Sequence, residues 1–302
     1  MKVCGSSYEK KNLIYEILIL FAGIMWGVIG IYVKAIRENG FTSIQISALR
    51  WIFSALITFI AVMIYDWKKL KIELRDIWLF ALIGIFSSLA MSTFYFMCME
   101  LTSIAVSDVL MYTSPIWVMI FSAIFFKEKI TAKKYVCIVL AFAGCALVSG
   151  VLKGGGKYDF LGIAFGICSG VAYSLYSILG KVVLKKYDKV TLTAYNVIFA
   201  AIGALFITDV REVFSLVSIN PSSLKYIFML AALGTVIPFF LYTFALKYVR
   251  ASNAAVICCI EPVAAAIVSI FIAGESLDIM QIVGIFAIIF SIILLQGSKK
   301  DN

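Results

Sequence analysis

The chain contains no histidine and few charged residues for its size. Charged side chains make up 14% of its 302 residues and hydrophobic ones 63%, against about 25% and about 45–50% in soluble domains. Without histidine, neither a His-containing zinc site nor Ser–His or Cys–His catalysis can be built. The seven cysteines show no CxxC spacing and are expected to behave as small apolar residues. These absences exclude a soluble protein, argue against an intramembrane enzyme, and predict neither a cofactor nor a metal site.

Ten apolar runs fill the chain almost from end to end. Each is close to the 17–25 residues that cross a bilayer as a helix, and backbone groups in lipid must be paired within their own segment. We therefore expect an all-α integral membrane protein, with an exposed turn at 208–225 as its longest connection. The ten predicted transmembrane helices cover residues 13–33, 44–65, 77–99, 104–126, 135–152, 160–180, 192–207, 226–246, 252–273 and 279–296.

The second half of the chain repeats the first. A repeat of five spans is odd-numbered, so its second copy enters the membrane in the opposite direction, which is the usual construction of secondary transporters. This predicts two inverted five-helix repeats, 13–152 and 160–296, joined by a hinge loop at 153–159 and flanked by tails at 1–12 and 297–302. The clearest pairs lie at a constant offset of 147 residues: Tyr95 and Tyr242, Pro115 and Pro262, Glu128 and Glu275.

The distribution of lysine and arginine predicts the orientation. With a cytoplasmic N-terminus, the segments on that side carry 19 of these residues and the segments on the other side carry 6. Positive loops favour the cytoplasmic side, so both termini are expected there, in a multi-pass protein of the inner or plasma membrane. The net charge of +9 is then explained by contact with anionic lipid, and nucleic acid is not expected as a partner.

Proline and glycine mark special positions inside the spans. Pro115, Pro238 and Pro262 each remove a helical hydrogen bond and predict a kink. Gly23, Gly27 and Gly30 share one face of the first span, where small residues allow close helix packing. Static packing and a sliding seam both remain open for this face.

Three charged residues fall inside predicted spans: Arg50, Asp108 and Glu261. A charge at the bilayer centre costs roughly 2.5–3.5 kcal/mol on insertion scales, so each should face protein or water. Arg50 is either structural, paired with Asp108 or with helix carbonyls, or a site for an anionic substrate group. Glu261 is expected to hold a proton, a cation or a substrate amine.

Aromatic and amide side chains complete the predicted substrate site. A tyrosine in the bilayer core needs a partner for its hydroxyl, which favours a polar interior over lipid. Simple packing is the competing interpretation for each residue taken singly. The candidates are Trp26, Tyr95, Tyr112, Tyr173, Tyr176, Asn196 and Tyr242.

Short motifs give the chain a family resemblance. Trp26-Gly27, Ala48-Leu49-Arg50-Trp51, and the Pro–Glu pairs thirteen residues apart at 115/128 and 262/275 resemble the EamA-type members of the drug/metabolite transporter superfamily. The resemblance covers about 13–296 and implies a ten-helix secondary transporter with a central cavity and alternating access. It also implies a structural, helix-end role for the two glutamates. Asp108 departs from the family, in which small residues are usual at that position.

The leading hypothesis is a secondary transporter of a small polar or zwitterionic metabolite, amino acids first, with export as the expected direction. Arg50 would bind a carboxylate, Asp108 and Glu261 an amine or a proton, and the aromatic residues the apolar body. Import or exchange of a nucleotide-derived metabolite and efflux of toxic amphipathic compounds remain alternatives. A passive channel is disfavoured, because polar residues are isolated along the spans. A coupling ion, a monomer and a homodimer are all left open.

Overall fold

The computed structural model describes residues 3–153, 159–273 and 277–296. Most of the hinge expected at 153–159, the tail at 297–302 and Glu275 lie outside these ranges. Within them the regular structure is entirely helical, and α1 continues a helix that begins at Val3. The ten long segments are α1 (Leu13–Arg37), α2 (Ser43–Leu70), α3 (Leu74–Leu101), α4 (Ile104–Phe126), α5 (Ala132–Val148), α6 (Phe160–Val183), α7 (Lys189–Ile207), α8 (Ser223–Leu246), α9 (Ala251–Phe271) and α10 (Ile279–Gln296).

Helices occur at all ten expected positions, but they differ in length. Eight of those in the described ranges, all except α5 and α10, are long and apolar enough to cross a membrane by length and composition. The α5 helix ends at Val148, short of the expected 152, because Gly150 adopts a positive φ of 75°. Glycine in this conformation commonly ends a helix.

The connection 208–225, expected as an exposed turn, contains a helix, Val210–Ile219. Asp209 caps it by accepting a hydrogen bond from the Arg211 backbone. Its side chains at 213, 216 and 217 share one face and pack in a small apolar cluster with residues from α1, α2 and α8. This amphipathic spacing explains why the segment is helical rather than an open turn.

Equivalent helices of the two halves exchange equivalent contacts. The α1 helix packs on α8 and α9, and α6 packs on α3 and α4. In sequence, α6 corresponds to α1, α3 to α8 and α4 to α9. The first helix of each half therefore packs on the same two helices of the other half. The α2 helix packs on α7, and α5 on α10. Each of the ten long helices therefore contacts a helix of the other half.

The glycines of α1 and α6 make this exchange possible. A Cβ atom on Gly23 would lie 2.6 Å from Ile260 Cγ2, and one on Gly170 would meet Thr113 Oγ1. Gly170 follows Gly23, and Ile260 follows Thr113, by the same 147 residues. The close contact between α1 and α9 thus recurs between α6 and α4. Close packing of this kind takes the place of a hydrophobic driving force in lipid.

Gly27 and Gly30, one turn apart, differ in what surrounds them. A Cβ on Gly27 would meet the Glu261 carbonyl oxygen and lie 2.7 Å from Ala264 Cβ, whereas nothing lies within 4 Å of one on Gly30. We expect Gly27→Ala to destabilise the protein by about 1–3 kcal/mol, the usual cost of overpacking. Gly30→Ala should be neutral or gain up to about 1 kcal/mol of helix propensity. Thermal unfolding in detergent compares the two, and equal effects would contradict the packing described here.

Candidate functional site

Both α4 and α9 are interrupted midway, at equivalent positions. A hydrogen bond of the 3₁₀ type runs from Thr113 N to Leu110 O at 3.2 Å, and its counterpart runs from Ile260 N to Ile257 O at 3.2 Å. New helices then start at Ser114–Phe126 and Glu261–Ala273, each with proline in second position. Proline fits the first turn of a helix, where its missing N–H costs nothing. Pro115 and Pro262 thus stand directly after a break in each helix.

A third irregularity lies in α8 and also involves proline. The segment Ala232–Val236 is π-helical, and the α-helix resumes at Ile237–Leu246. In a regular helix the N–H of residue 238 would bond to the carbonyl of residue 234. Pro238 has no N–H, so the Gly234 carbonyl needs another donor. The equivalent stretch of α3, Leu82–Leu89, is π-helical as well.

Arg50 supplies that missing donor. Its Nη2 donates to Gly234 O at 3.3 Å, and its Nε donates to Thr235 Oγ1 at 2.6 Å. The guanidinium carbon also lies 5.2 Å from the centre of the Trp51 ring, within the range of a cation–π interaction. Arg50 is therefore bound to a helix carbonyl and a hydroxyl, one of the two arrangements expected from the sequence. It forms no ion pair with Asp108 in the described part of the chain.

One of the two carboxylates is bonded by a tyrosine. The Tyr95 hydroxyl donates to Asp108 Oδ1 at 2.7 Å. Tyr173 and Arg50 line the same cavity as Glu261. Among the described side chains, neither carboxylate forms an ion pair with a lysine or an arginine. Both line the same cavity.

This cavity has a volume of about 480 Å³, within the range of small-molecule sites. Among its lining residues, Lys34 and Arg37 are exposed and mark its mouth, at the end where α1 connects to α2. Its lining is mainly apolar, which suits the body of a ligand, with the charged groups as the exceptions. Seven of the ten predicted site residues line it: Trp26, Arg50, Tyr95, Asp108, Tyr112, Tyr173 and Glu261.

Two predicted residues, Tyr176 and Tyr242, lie beneath the cavity instead of lining it. Both are buried and pack around Phe239 and Trp26, with ring centroids 5.0 to 6.0 Å apart. The Tyr176 hydroxyl bonds to Thr243 Oγ1 at 2.5 Å, and that of Tyr242 bonds to Ser177 Oγ at 2.6 Å. These hydroxyls are satisfied within the protein, so the rings close the inner end of the cavity.

Asn196, the tenth predicted residue, is also placed away from the cavity. It is fully buried between α7 and α3, where its Oδ1 accepts a hydrogen bond from Ser88 at 2.7 Å. Its polarity is used for helix packing in the manner common in membranes.

Sequence reasoning missed Gly234 and Thr235, which hold Arg50, and the serines at 43, 47 and 92 that add hydroxyls to the cavity. The spacing of Pro238 identifies Gly234, because the unpaired carbonyl is four residues before a proline. The serines carry no comparable signal in the sequence. No group of three or more Cys, Asp or Glu residues in the described ranges could hold a metal ion.

An ion pair of the first half is hydrogen-bonded to Ser252 of the second half, at the end opposite the cavity mouth. Lys134 Nζ lies 3.2 Å from Glu128 Oε2, and Ser252 donates to the same oxygen at 2.7 Å. Side-chain exposure is only 8% for Lys134 and 11% for Glu128, so removal of one partner would leave a buried charge. This pairing agrees with the helix-end role expected for Glu128, and it connects the ends of α4, α5 and α9.

The bond between Arg50 and Thr235 can be tested by a paired substitution. Thr235→Val removes this bond and the longer one from Thr235 Oγ1 to Leu230 O at 3.2 Å. We expect it to destabilise the protein by about 1.5–3 kcal/mol, mainly through the hydrogen bond to the charged group. Thr58 is a matched control, because its buried hydroxyl has no hydrogen-bond partner within the described part of the chain. Thr58→Val should leave the free energy of unfolding unchanged or raise it. Thermal unfolding in detergent measures both, and a loss as large for Thr58→Val would show that the bond contributes nothing specific.

Known proteins resemble this chain over nearly all of its length. The model of the EamA-like transporter family matches residues 13–150 and 160–296. An uncharacterized transporter of Clostridium kluyveri is 28% identical over 97% of this chain and 96% of its own. One of Archaeoglobus fulgidus is 29% identical over 91% and 94%, and the uncharacterized transporter YwfM of Bacillus subtilis is 23% identical over 97% of each.

A solved structure supports the fold independently of sequence. Its chain is 16% identical and superposes with a TM-score of 0.79, covering 95% of this chain and 99% of the other. At this identity the likeness establishes the arrangement of the helices alone.

Proposed function

Because the chain belongs to the EamA-like transporter family, we propose that it moves a small polar or zwitterionic metabolite across the membrane by alternating access. Amino acids are the first candidate substrates, and export is the proposed direction. The observation that carries this proposal is the cavity that contains Arg50, Asp108 and Glu261 together. A charged group is costly in a membrane unless it faces protein or water. Three in one small cavity are well explained by a charged ligand.

Arg50 is the proposed binding group for a carboxylate. Its bonds to α8 use Nε and Nη2, and a guanidinium has five N–H donors. Nη1 remains without a hydrogen bond in the described residues, so a second acceptor can bind while the link to Gly234 persists. Paired N–H groups of arginine match the two oxygens of a carboxylate.

Asp108 and Glu261 are the proposed binding groups for an amine or a coupling proton. With Arg50, they give the cavity one positive and two negative groups when all three are charged. A zwitterion places its own cation near the carboxylates and its anion near the guanidinium, so every charge gains a partner. The apolar portion of the substrate would contact Trp26 and the rings of Tyr95 and Tyr112, all of which line the cavity. The mainly apolar lining also keeps efflux of amphipathic compounds as the second candidate.

The exchanged contacts of the two halves support alternating access between inverted five-helix repeats. We propose that 13–152 and 160–296 form these repeats, that all ten helices cross the membrane, and that both termini are cytoplasmic. The cavity then opens to the outside, because Lys34 and Arg37 line it and lie in the last turn of α1, next to the α1–α2 connection. The aromatic residues around Phe239 and the Lys134–Glu128 pair would close the cytoplasmic side. Opening to the cytoplasm would require these contacts to separate.

Transport in proteoliposomes tests the proposal. Purified protein should move at least one amino acid from a mixed panel, with saturation and competition by the unlabelled compound. Arg50→Lys keeps the charge but loses the paired N–H geometry, so we expect its kcat/KM to fall by about tenfold or more, as for a lost charge-assisted bond. Glu261→Gln should lose any dependence on a proton gradient.

Lys129→Gln is the control, since Lys129 is an exposed residue between α4 and α5, outside the cavity. Its rates should equal those of the unmodified protein. If no member of the panel moves under either gradient direction, the amino-acid assignment is wrong. If transport occurs but Arg50→Lys leaves it unchanged, Arg50 does not bind the substrate.

A further inference from the structure

A second recess lies outside the cavity, on the flank of the helix bundle. It has a volume of about 470 Å³ and runs between α2 and α8, with α7 as its floor. Tyr65 and Phe240 at its edges are 77% and 37% exposed. Because these rings face away from the protein, the groove opens sideways, toward the position that lipid takes around a membrane protein. We call it the flank groove.

The deeper part of the flank groove is mainly apolar. Val62 and Val236 line it together with Ala61 and the ring of Phe240, and the buried Thr58 and Thr193 add two hydroxyls. Val62 is buried on the α2 side of the groove, whereas Ala61 is exposed at the rim. A lining of this kind favours a hydrocarbon chain. A polar solute would lose hydrogen bonds to water there and regain few from the protein.

One end of the flank groove is basic. Lys69 and Lys189 line that end with Asp188. The Asp188 carboxylate is already engaged, since it lies 3.4 Å from Lys69 Nζ and caps α7 by accepting a bond from the Val190 backbone. Lys189 Nζ lies 3.5 Å from the centre of the Phe244 ring and has no carboxylate partner in the described residues.

The residues next to this end add to the positive charge. Lys68 lies in the last turn of α2, Lys71 directly follows that helix, and Asp66 is the acidic residue beside them. With Lys69, Lys189 and Asp188, the end carries four cations against two anions. Trp67, 53% exposed, and Tyr65 stand at the same level, and such aromatic residues are typical of the membrane–water interface. The charge thus lies at headgroup depth and the apolar lining at acyl-chain depth.

We propose that the flank groove binds one anionic phospholipid of the surrounding leaflet. Its phosphate lies between Lys189 and Lys69, and one acyl chain follows Val62 and Phe240 between α2 and α8. Basic pockets between membrane helices are suited to anionic headgroups in this way. The Thr193 side chain, one turn along α7 from Lys189, also lines the groove, at a depth of about 6 Å below it. That depth suits the glycerol esters.

The flank groove lies on the same pair of helices that Arg50 joins. Arg50 links α2 to Gly234 and Thr235 of α8, and Val236 of the same π-helical segment lines the groove. A bound lipid therefore supports the α2–α8 contact from the membrane side. It stabilises the protein in the arrangement described here.

Native mass spectrometry of the purified full-length chain tests the site without a transported substrate. The probes are phosphatidylglycerol and phosphatidylcholine with identical acyl chains. The unmodified protein should retain one phosphatidylglycerol in preference to phosphatidylcholine. Lys189→Gln should reduce that retention about fivefold, the contribution of one basic residue near an anionic headgroup. Ala61→Trp, which fills the rim while keeping every charge, should reduce it as well.

Lys129→Gln removes an exposed lysine away from the flank groove and should retain the lipid like the unmodified protein. Thermal unfolding without added lipid checks that Lys189→Gln and Ala61→Trp are folded, and both change residues at the surface of the groove. Equal retention of the two lipids, or undiminished retention in both variants, would overturn the proposal. Because retention is measured without transport, the outcome does not depend on the function proposed above.

Discussion

The link between Arg50 and α8 is the interaction on which the site depends. Pro238 cannot donate to the Gly234 carbonyl, and lipid offers no water to replace the missing N–H. Arg50, for its part, cannot lie in a membrane without acceptors. The guanidinium thus gives the Gly234 carbonyl a donor, and the carbonyl gives the guanidinium an acceptor. The bonds to Gly234 and Thr235 hold the guanidinium at the cavity. A charge that would be unfavourable on an isolated helix becomes a fixed feature of the packed protein.

Duplication explains why the cavity lies where it does. The breaks in α4 and α9 occupy equivalent positions, and the glycines at 23 and 170 bring α1 and α6 against them in the same way. Residues near the breaks, Tyr112 and Glu261 among them, therefore converge at the junction of the halves. The chemistry is not duplicated. Asp108 has Ala255 as its counterpart, and Arg50 has Val197. The helices of the two halves are therefore arranged equivalently, whereas these charged residues occur in one half only.

The helix positions and the charged residues of the cavity could be predicted from sequence, because a bilayer restricts spans to apolar helices and makes exposed charges costly. Apolar length located helices at all ten positions, and the rule that buried charges face protein placed Arg50, Asp108 and Glu261 in one cavity. The rest depends on packing that no local pattern encodes. Tyr176 and Tyr242 are polar enough to line a cavity, yet Thr243 and Ser177 satisfy them beneath it. The helix Val210–Ile219 was missed although its apolar spacing is visible, because the neighbouring Asn-Pro-Ser-Ser sequence suggested a turn.

In the arrangement we propose, one five-helix unit is inserted twice, in opposite directions, around the cavity. Glu38 and Lys185 are equivalent residues, 147 positions apart and both exposed, so they should lie on opposite sides of the membrane. Each is replaced singly by cysteine in a cysteine-free background and treated with a membrane-impermeant maleimide on intact cells. We expect labelling at position 38 in intact cells and at position 185 only after permeabilisation. Labelling of both positions from the same side would contradict it.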